Sequence, residues 1–137
     1  MAMAITISLE KEIPEATAYA NAKPGKAIAR EIEKLDYASR VCKVSAITSM
    51  LSESQAALIE QLKAEGFDPS KMRLPAEQWY PASEGLTTVR GLHAHVYANM
   101  NDFKQPNSIL RDLKAAEALL AAAEAAGAKF HFTKVQG

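Results

Sequence analysis

Two short stretches at opposite ends of the chain constrain its fold more than any other feature. Residues 5–10 (ITISLE) and residues 129–134 (KFHFTK) both alternate apolar with polar side chains. This alternation is typical of a strand that buries one face. A lone strand leaves its backbone groups unpaired, so we predict that the two stretches pair with each other and rest their apolar faces on one core.

Most of the remaining chain has helical patterns. Apolar residues recur at three- and four-residue spacing in residues 23–42, 52–66, about 81–99 and about 105–127. A further strand over residues 41–48 is an alternative, residues 11–22 show no clear periodicity, and residues 67–83 resemble a loop. We therefore predict an α+β fold: one mostly helical domain over residues 1–137, with about four helices and a small antiparallel sheet pairing the terminal strands.

Composition narrows the class of protein. The 137 residues suffice for one buried core, and the 16 basic and 16 acidic residues give no net charge. Nucleic-acid binding normally needs a basic excess, so we predict no nucleic-acid partner. Cys42 is the single cysteine, which rules out an intrachain disulfide and fits a reducing compartment. The chain shows no signal peptide and no apolar run of membrane-spanning length, so we expect a cytoplasmic protein without a membrane partner.

The segment from Ala76 to Met100 contains the single tryptophan and two of the three histidines, with few charges. Within it, residues 83–99 predict a helix that is weakly polar on every side, which is typical of a helix at the centre of a core. Trp79 precedes this helix in a proline-bounded loop. Its size favours a plug over the core more than a surface on which a ligand stacks.

Two side chains of this helix allow two interpretations. His93 lies on the apolar stripe and Arg90 is one turn away, so His93 is either a hydrogen-bonded core residue or a catalytic acid or base. Arg90, if buried, needs a carboxylate or carbonyl partner, which predicts an ion pair; alternatively it binds an anionic ligand. In the ligand-site interpretation, Trp79, Arg90 and His93 form the site, and Glu84 or Glu77 orients His93. The catalytic candidates are then His93, Arg90 and Glu84.

No established motif supports an enzyme. His93 and His95 point about 200° apart on a helix, so they cannot bind one metal ion from the same face. His131 falls on the expected polar side of the last strand. The sequence contains no HExxH motif, no phosphate-binding glycine loop and no GxSxG motif. We therefore predict no metal and no cofactor, and we assign no catalytic residue outright.

Three segments in order, KAIAREIEKLD, LPAEQWYPASEGLTTVRGL and AGAKFHF, resemble a family of short bacterial proteins without an assigned activity. The resemblance covers about residues 13–132. It implies a bacterial, cytosolic protein, and it supplies no catalytic residues.

The leading hypothesis is a non-enzymatic binding or regulatory module that acts through a protein partner. A free edge of the small sheet could pair with a partner's strand or with a second copy in a homodimer. The alternative is a small enzyme or anionic-ligand binder that uses the region of Trp79, Arg90 and His93.

Overall fold

The computed structural model describes residues 3–22, 24–52, 55–68, 71 and 78–136, with side chains for all of these except 55–58 and 135–136. Within them the elements are β1 (Met3–Leu9), α1 (Pro14–Asn21), α2 (Lys26–Arg30), α3 (Ile32–Cys42), α4 (Gln55–Ala64), β2 (Tyr80–Pro81), α5 (Ala82–Ala98), α6 (Pro106–Ala126) and β3 (Lys129–Gln136). Short 3-10 helices cover Ile47–Met50 and Met100–Asp102. None of the described helices is long and apolar enough to cross a membrane.

The three strands form one antiparallel sheet in which β3 lies between β1 and β2. Ile7 lies opposite Phe132 and Leu9 lies opposite Phe130 in the ladder between β1 and β3. Directly opposed residues of an antiparallel pair share one face of the sheet, so these four side chains form its apolar face. The predicted pairing of the terminal strands is confirmed, and the α+β fold with it.

The apolar face of the sheet packs on α5 and α6, which also pack against each other. The rings of Phe130 and Phe132 meet edge to face with 5.3 Å between centroids, and both residues are at most 1% exposed. Gly85 lets α5 approach closely, because a side chain there would collide with the ring of Phe130. Burying a phenylalanine is worth ~1.5–3 kcal/mol, so this ring pair is a main attachment of the sheet to the helices.

The helix predicted for residues 83–99 is present as α5, but it is not enclosed on every side. Its core face is closed, with Val89, Leu92 and Val96 at 0% exposure. On another side Tyr97 is 70% exposed. The helix therefore belongs to the core by one face and to the surface by another.

The single helix predicted for residues 23–42 is two helices that meet at Glu31. Glu31 has φ −118° and ψ 30°, outside the helical region, and its side chain is only 6% exposed. The backbone N–H groups of Lys104 and Gln105, just before α6, donate to its two carboxylate oxygens at 2.6 and 3.1 Å. Free N–H groups at a helix start favour a negative charge, and this tertiary contact accounts for the break.

Two elements lie where the sequence predicts none. α1 begins at Pro14, which suits a first helical position, but none of its residues is fully buried, and residues 11–22 accordingly lack apolar periodicity. The third strand is β2, within the predicted loop, whereas residues 41–48 contain the end of α3 and the start of a 3-10 helix. β2 has only two residues and is extended because it pairs with β3, so no local pattern marks it.

Gly25 joins the outer edge of β1 to the start of α2. Its carbonyl oxygen accepts the N–H of Ile5 at 3.1 Å and the N–H of Ala29 at 3.0 Å. The Gly25 φ of 101° lies in the left-handed region, and a Cβ atom there would collide with the carbonyl group of Ile5. Both the backbone conformation and the available space therefore require glycine.

We expect Gly25→Ala to destabilise the protein more than Gly66→Ala, which is the matched control. Gly66 also has a positive φ, 88°, but an added Cβ would have no atom within 4 Å. The control should lower the free energy of unfolding by ~1–2 kcal/mol, the cost of a left-handed conformation. Gly25→Ala should lower it by about twice as much or more, because a collision is added. Urea unfolding of both variants measures this, and equal losses would contradict the role given to the Gly25–Ile5 contact.

Candidate functional site

The ion pair predicted for Arg90 is present, but it lies at the surface. Arg90 Nε is 3.9 Å from Glu117 Oε2 on α6, and the two side chains are 61% and 27% exposed. His93, about one turn further along α5, is half-buried rather than enclosed within the core. Neither residue is therefore a buried group held for a ligand.

The other predicted site residues face different neighbours. The hydroxyl of Ser45 donates to Glu84 Oε1 at 3.1 Å, so Glu84 faces the segment that follows α3. The ring of Trp79 packs against that of His131 with the planes tilted by 42° and 4.5 Å between the centroids. Glu77 lies outside the described residues. The described contacts of Trp79, Glu84 and Arg90 are thus with three different parts of the chain, and these contacts do not bring the three side chains together in one site.

His131, expected on a polar face, is completely buried. It does lie on the face of the sheet opposite to Phe132, but Trp79 covers that face. His131 Nδ1 is 3.0 Å from the hydroxyl oxygen of Thr133, which is 3.1 Å from that of Ser8. A hydroxyl beside a histidine can become a nucleophile, but a ring without exposure gives a substrate no access. The cluster supports a structural role for His131 and Trp79.

A groove of about 580 Å³ lies between β1 and α1 and was not foreseen from the sequence. We call it the α1–β1 groove. Most of its lining is apolar, and it also contains two hydroxyl side chains and three charged side chains. The lining residues are Ala4, Thr6, Ile7, Leu9, Lys11, Glu12, Ala16, Tyr19, Ala20, Pro24 and Lys26. The sequence held no signal for it, because α1 lacks the apolar periodicity that would have identified it as a wall.

The groove follows the outer edge of β1. Residues of an edge strand alternately direct their N–H and C=O groups toward the neighbouring strand and away from it. Glu10 donates its N–H to Lys129 in the sheet direction, whereas Ile5 donates outward to Gly25. Ile7 and Leu9, in step with Ile5, therefore direct their backbone groups outward. Gly25 covers this edge at Ile5, and the groove lies along the edge from Ile7 to Leu9.

Tyr19 contributes an uncharged hydroxyl group to the lining of the groove. Burial raises the pKa of Tyr19, a hydrogen bond with the backbone of Ile7 opposes this shift, and the negative charge of Asp112 adds to it. Burial also raises the pKa of Asp112, although backbone N–H groups at the start of α2 favour its charged form, among them that of Ala27 at 3.1 Å. The phenol is therefore protonated at neutral pH.

α1 is a loosely packed wall. Two further cavities adjoin it, one of about 580 Å³ along its length from Glu12 to Asn21 and one of about 290 Å³ between α1 and α6. None of its residues is fully buried. Segments with little buried apolar surface open at the lowest free-energy cost, so α1 is the wall that can adjust to an occupant.

Among the described residues, no group of three or more His, Cys, Asp or Glu side chains is placed to hold a metal ion. Comparisons of the chain with protein-family models, curated proteins and solved structures gave no match. The resemblance to short bacterial proteins stays a prediction. The chemistry of the α1–β1 groove is therefore the observation from which a function can be inferred.

We expect Arg90→Met to change stability little, because its ion pair is exposed. Such pairs contribute roughly 0–1 kcal/mol. A double-mutant cycle with Glu117→Gln, read by urea unfolding, should give a coupling energy below about 1 kcal/mol. A coupling of several kcal/mol would instead require a desolvated pair and would restore the buried interpretation of Arg90.

Proposed function

We propose that the protein is a non-enzymatic binding module that holds an apolar ligand in the α1–β1 groove. The observation that carries this proposal is the groove itself, with a volume of about 580 Å³ and a mostly apolar lining. Sites for small ligands have volumes of roughly 300–1,000 Å³ and combine apolar walls with a few polar groups. The α1–β1 groove has both properties.

The lining favours binding over catalysis. Its polar side chains are those of Thr6, Tyr19, Lys11, Glu12 and Lys26, and no histidine or cysteine stands among the described lining residues. General acid–base catalysis works best with a group whose pKa lies near the working pH. Burial moves the pKa of Tyr19 away from that range, and Lys11, Glu12 and Lys26 are exposed. These properties support retention of a ligand rather than its conversion.

A partner protein is a second candidate occupant, because β1 is an edge strand and such strands can pair with another chain. Gly25 already bonds the outward amide of Ile5, and Tyr19 lies beside Ile7. Of the outward-facing residues of β1, Met3 and Leu9 remain for strand pairing, and they lie at opposite ends of the strand. A partner would therefore insert an apolar side chain into the groove more readily than it would extend the sheet. The protein partner or homodimer, the bacterial origin and the cytoplasmic location predicted from the sequence stay proposals.

The proposal is tested with N-phenyl-1-naphthylamine, a neutral probe whose fluorescence rises in apolar surroundings. We expect saturable binding at one site per chain. Ala16→Phe should weaken binding by about tenfold or more, because the larger side chain occupies groove volume. Ala16 is half-buried and packs at the edge of the core, so a small decrease in melting temperature is expected, and thermal unfolding checks that the variant is folded.

Ala98→Phe is the matched control, since Ala98 is an exposed helical alanine on α5. It should bind the probe as the parent protein does. Probe fluorescence that never saturates, or equal affinity in the parent and Ala16→Phe, would overturn the groove as a binding site.

A further inference from the structure

We propose that the ligand of the α1–β1 groove is an amphipathic carboxylate, whose apolar chain lies in the groove and whose acid group pairs with Lys11 and Lys26 at the rim. This inference rests on the proposed function and names its ligand class. The occupant meant here is a monomeric small molecule, not a membrane surface.

The apolar part of such a ligand has a continuous surface to contact. Ile7 and Leu9 of β1 supply one wall, and Ala16 and Ala20 of α1 supply the other. The two alanines are small and lie one helical turn apart, so they leave room along the strand instead of filling it. This geometry leaves space for an unbranched chain that lies along the strand.

The charges at the rim favour an anion. Lys11 and Lys26 both line the groove and are exposed, and neither forms an ion pair with another described residue. Glu12 is the one carboxylate in the described lining, which leaves one net positive charge. A carboxylate at the rim would therefore meet unpaired ammonium groups, whereas a cation would meet a net repulsion.

Two nearby acidic residues, Glu10 and Asp112, lie outside the lining, and backbone N–H groups orient their carboxylates without neutralising them. Glu10 accepts the N–H of Lys129 at 3.1 Å. Asp112 accepts the N–H of Ala27 at 3.1 Å and lies against the start of α2. The net positive charge therefore refers to the side chains that line the groove, which are the ones a ligand would contact.

The Tyr19 hydroxyl adds a hydrogen-bonding group inside the groove without adding charge. Because its phenol stays protonated, it can lie next to an uncharged part of a ligand beside the backbone of Ile7. Lys11 follows β1 and Lys26 begins α2, so the two ammonium groups reach the groove from separate segments. The anionic group is therefore expected at the rim, and the chain is expected between β1 and α1.

The experiment displaces N-phenyl-1-naphthylamine with three ligands of equal chain length, kept below their aggregation concentrations: decanoate, 1-decanol and decyltrimethylammonium. Decanoate should bind about threefold to fivefold more tightly than 1-decanol, the increment expected from exposed ion pairs. The cation should bind more weakly than the alcohol. The preference for decanoate should shrink in ~0.5 M salt, because exposed charges are screened.

Variants locate the anionic group. Lys11→Gln combined with Lys26→Gln should remove the preference for decanoate while leaving the affinity for 1-decanol unchanged. Glu12→Gln should increase the preference. Lys63→Gln is the control, since Lys63 is an exposed lysine on α4 outside the lining, and it should behave as the parent does.

The outcomes separate this inference from the proposed function. Equal binding of decanoate and 1-decanol, failure of both to displace the probe, or a preference for decanoate that survives the double substitution would each overturn the carboxylate assignment while the groove remains a binding site. Absence of probe binding would overturn both.

Discussion

The pairing of β1 with β3 is the interaction on which the rest of the structure depends. It joins the two ends of the chain, satisfies the backbone groups of both strands and gathers Ile7, Leu9, Phe130 and Phe132 into one apolar face. That face is what α5 and α6 pack against. The pairing also determines which edge of β1 faces outward. Because β3 occupies one side of β1, the other side is free to meet the connection to α2 and to form a wall of the α1–β1 groove.

Two carboxylates complete this arrangement by capping helices that are distant in sequence. Glu31, between α2 and α3, accepts the N–H groups just before α6, and Asp112 of α6 accepts an N–H at the start of α2. These two sets of hydrogen bonds hold both ends of α2 against α6, beside the outer edge of β1. Gly25 then attaches that edge to α2 through the N–H of Ile5. α1 is attached to β1 through the hydrogen bond between Tyr19 and the backbone of Ile7, and cavities remain around it.

The contrast between α5 and α1 is the reason for placing the proposed ligand at α1. α5 carries the unusual side chains, Trp79 just before it and Arg90 and His93 within it, but each has a protein neighbour or lies at the surface. α1 carries mostly small side chains and lacks apolar periodicity in the sequence, because none of its residues is completely buried. A binding site needs space together with a few polar groups, and that combination occurs at α1. Tyr19, Lys11 and Lys26 supply the polar groups there.

The sequence by itself determined the elements whose pattern is local. The alternation in residues 5–10 and 129–134 predicted the terminal strands and their pairing, and the periodicity around Leu113 and Val89 predicted α6 and α5. Only the tertiary structure decided the break at Glu31, the strand at Tyr80 and the burial of His131. Each of these depends on a partner far along the chain: the backbone before α6, the strand β3 and the ring of Trp79. Periodicity records which side of an element is apolar. It carries no information about what covers the opposite side, and for that reason neither the buried histidine nor the α1–β1 groove could be predicted.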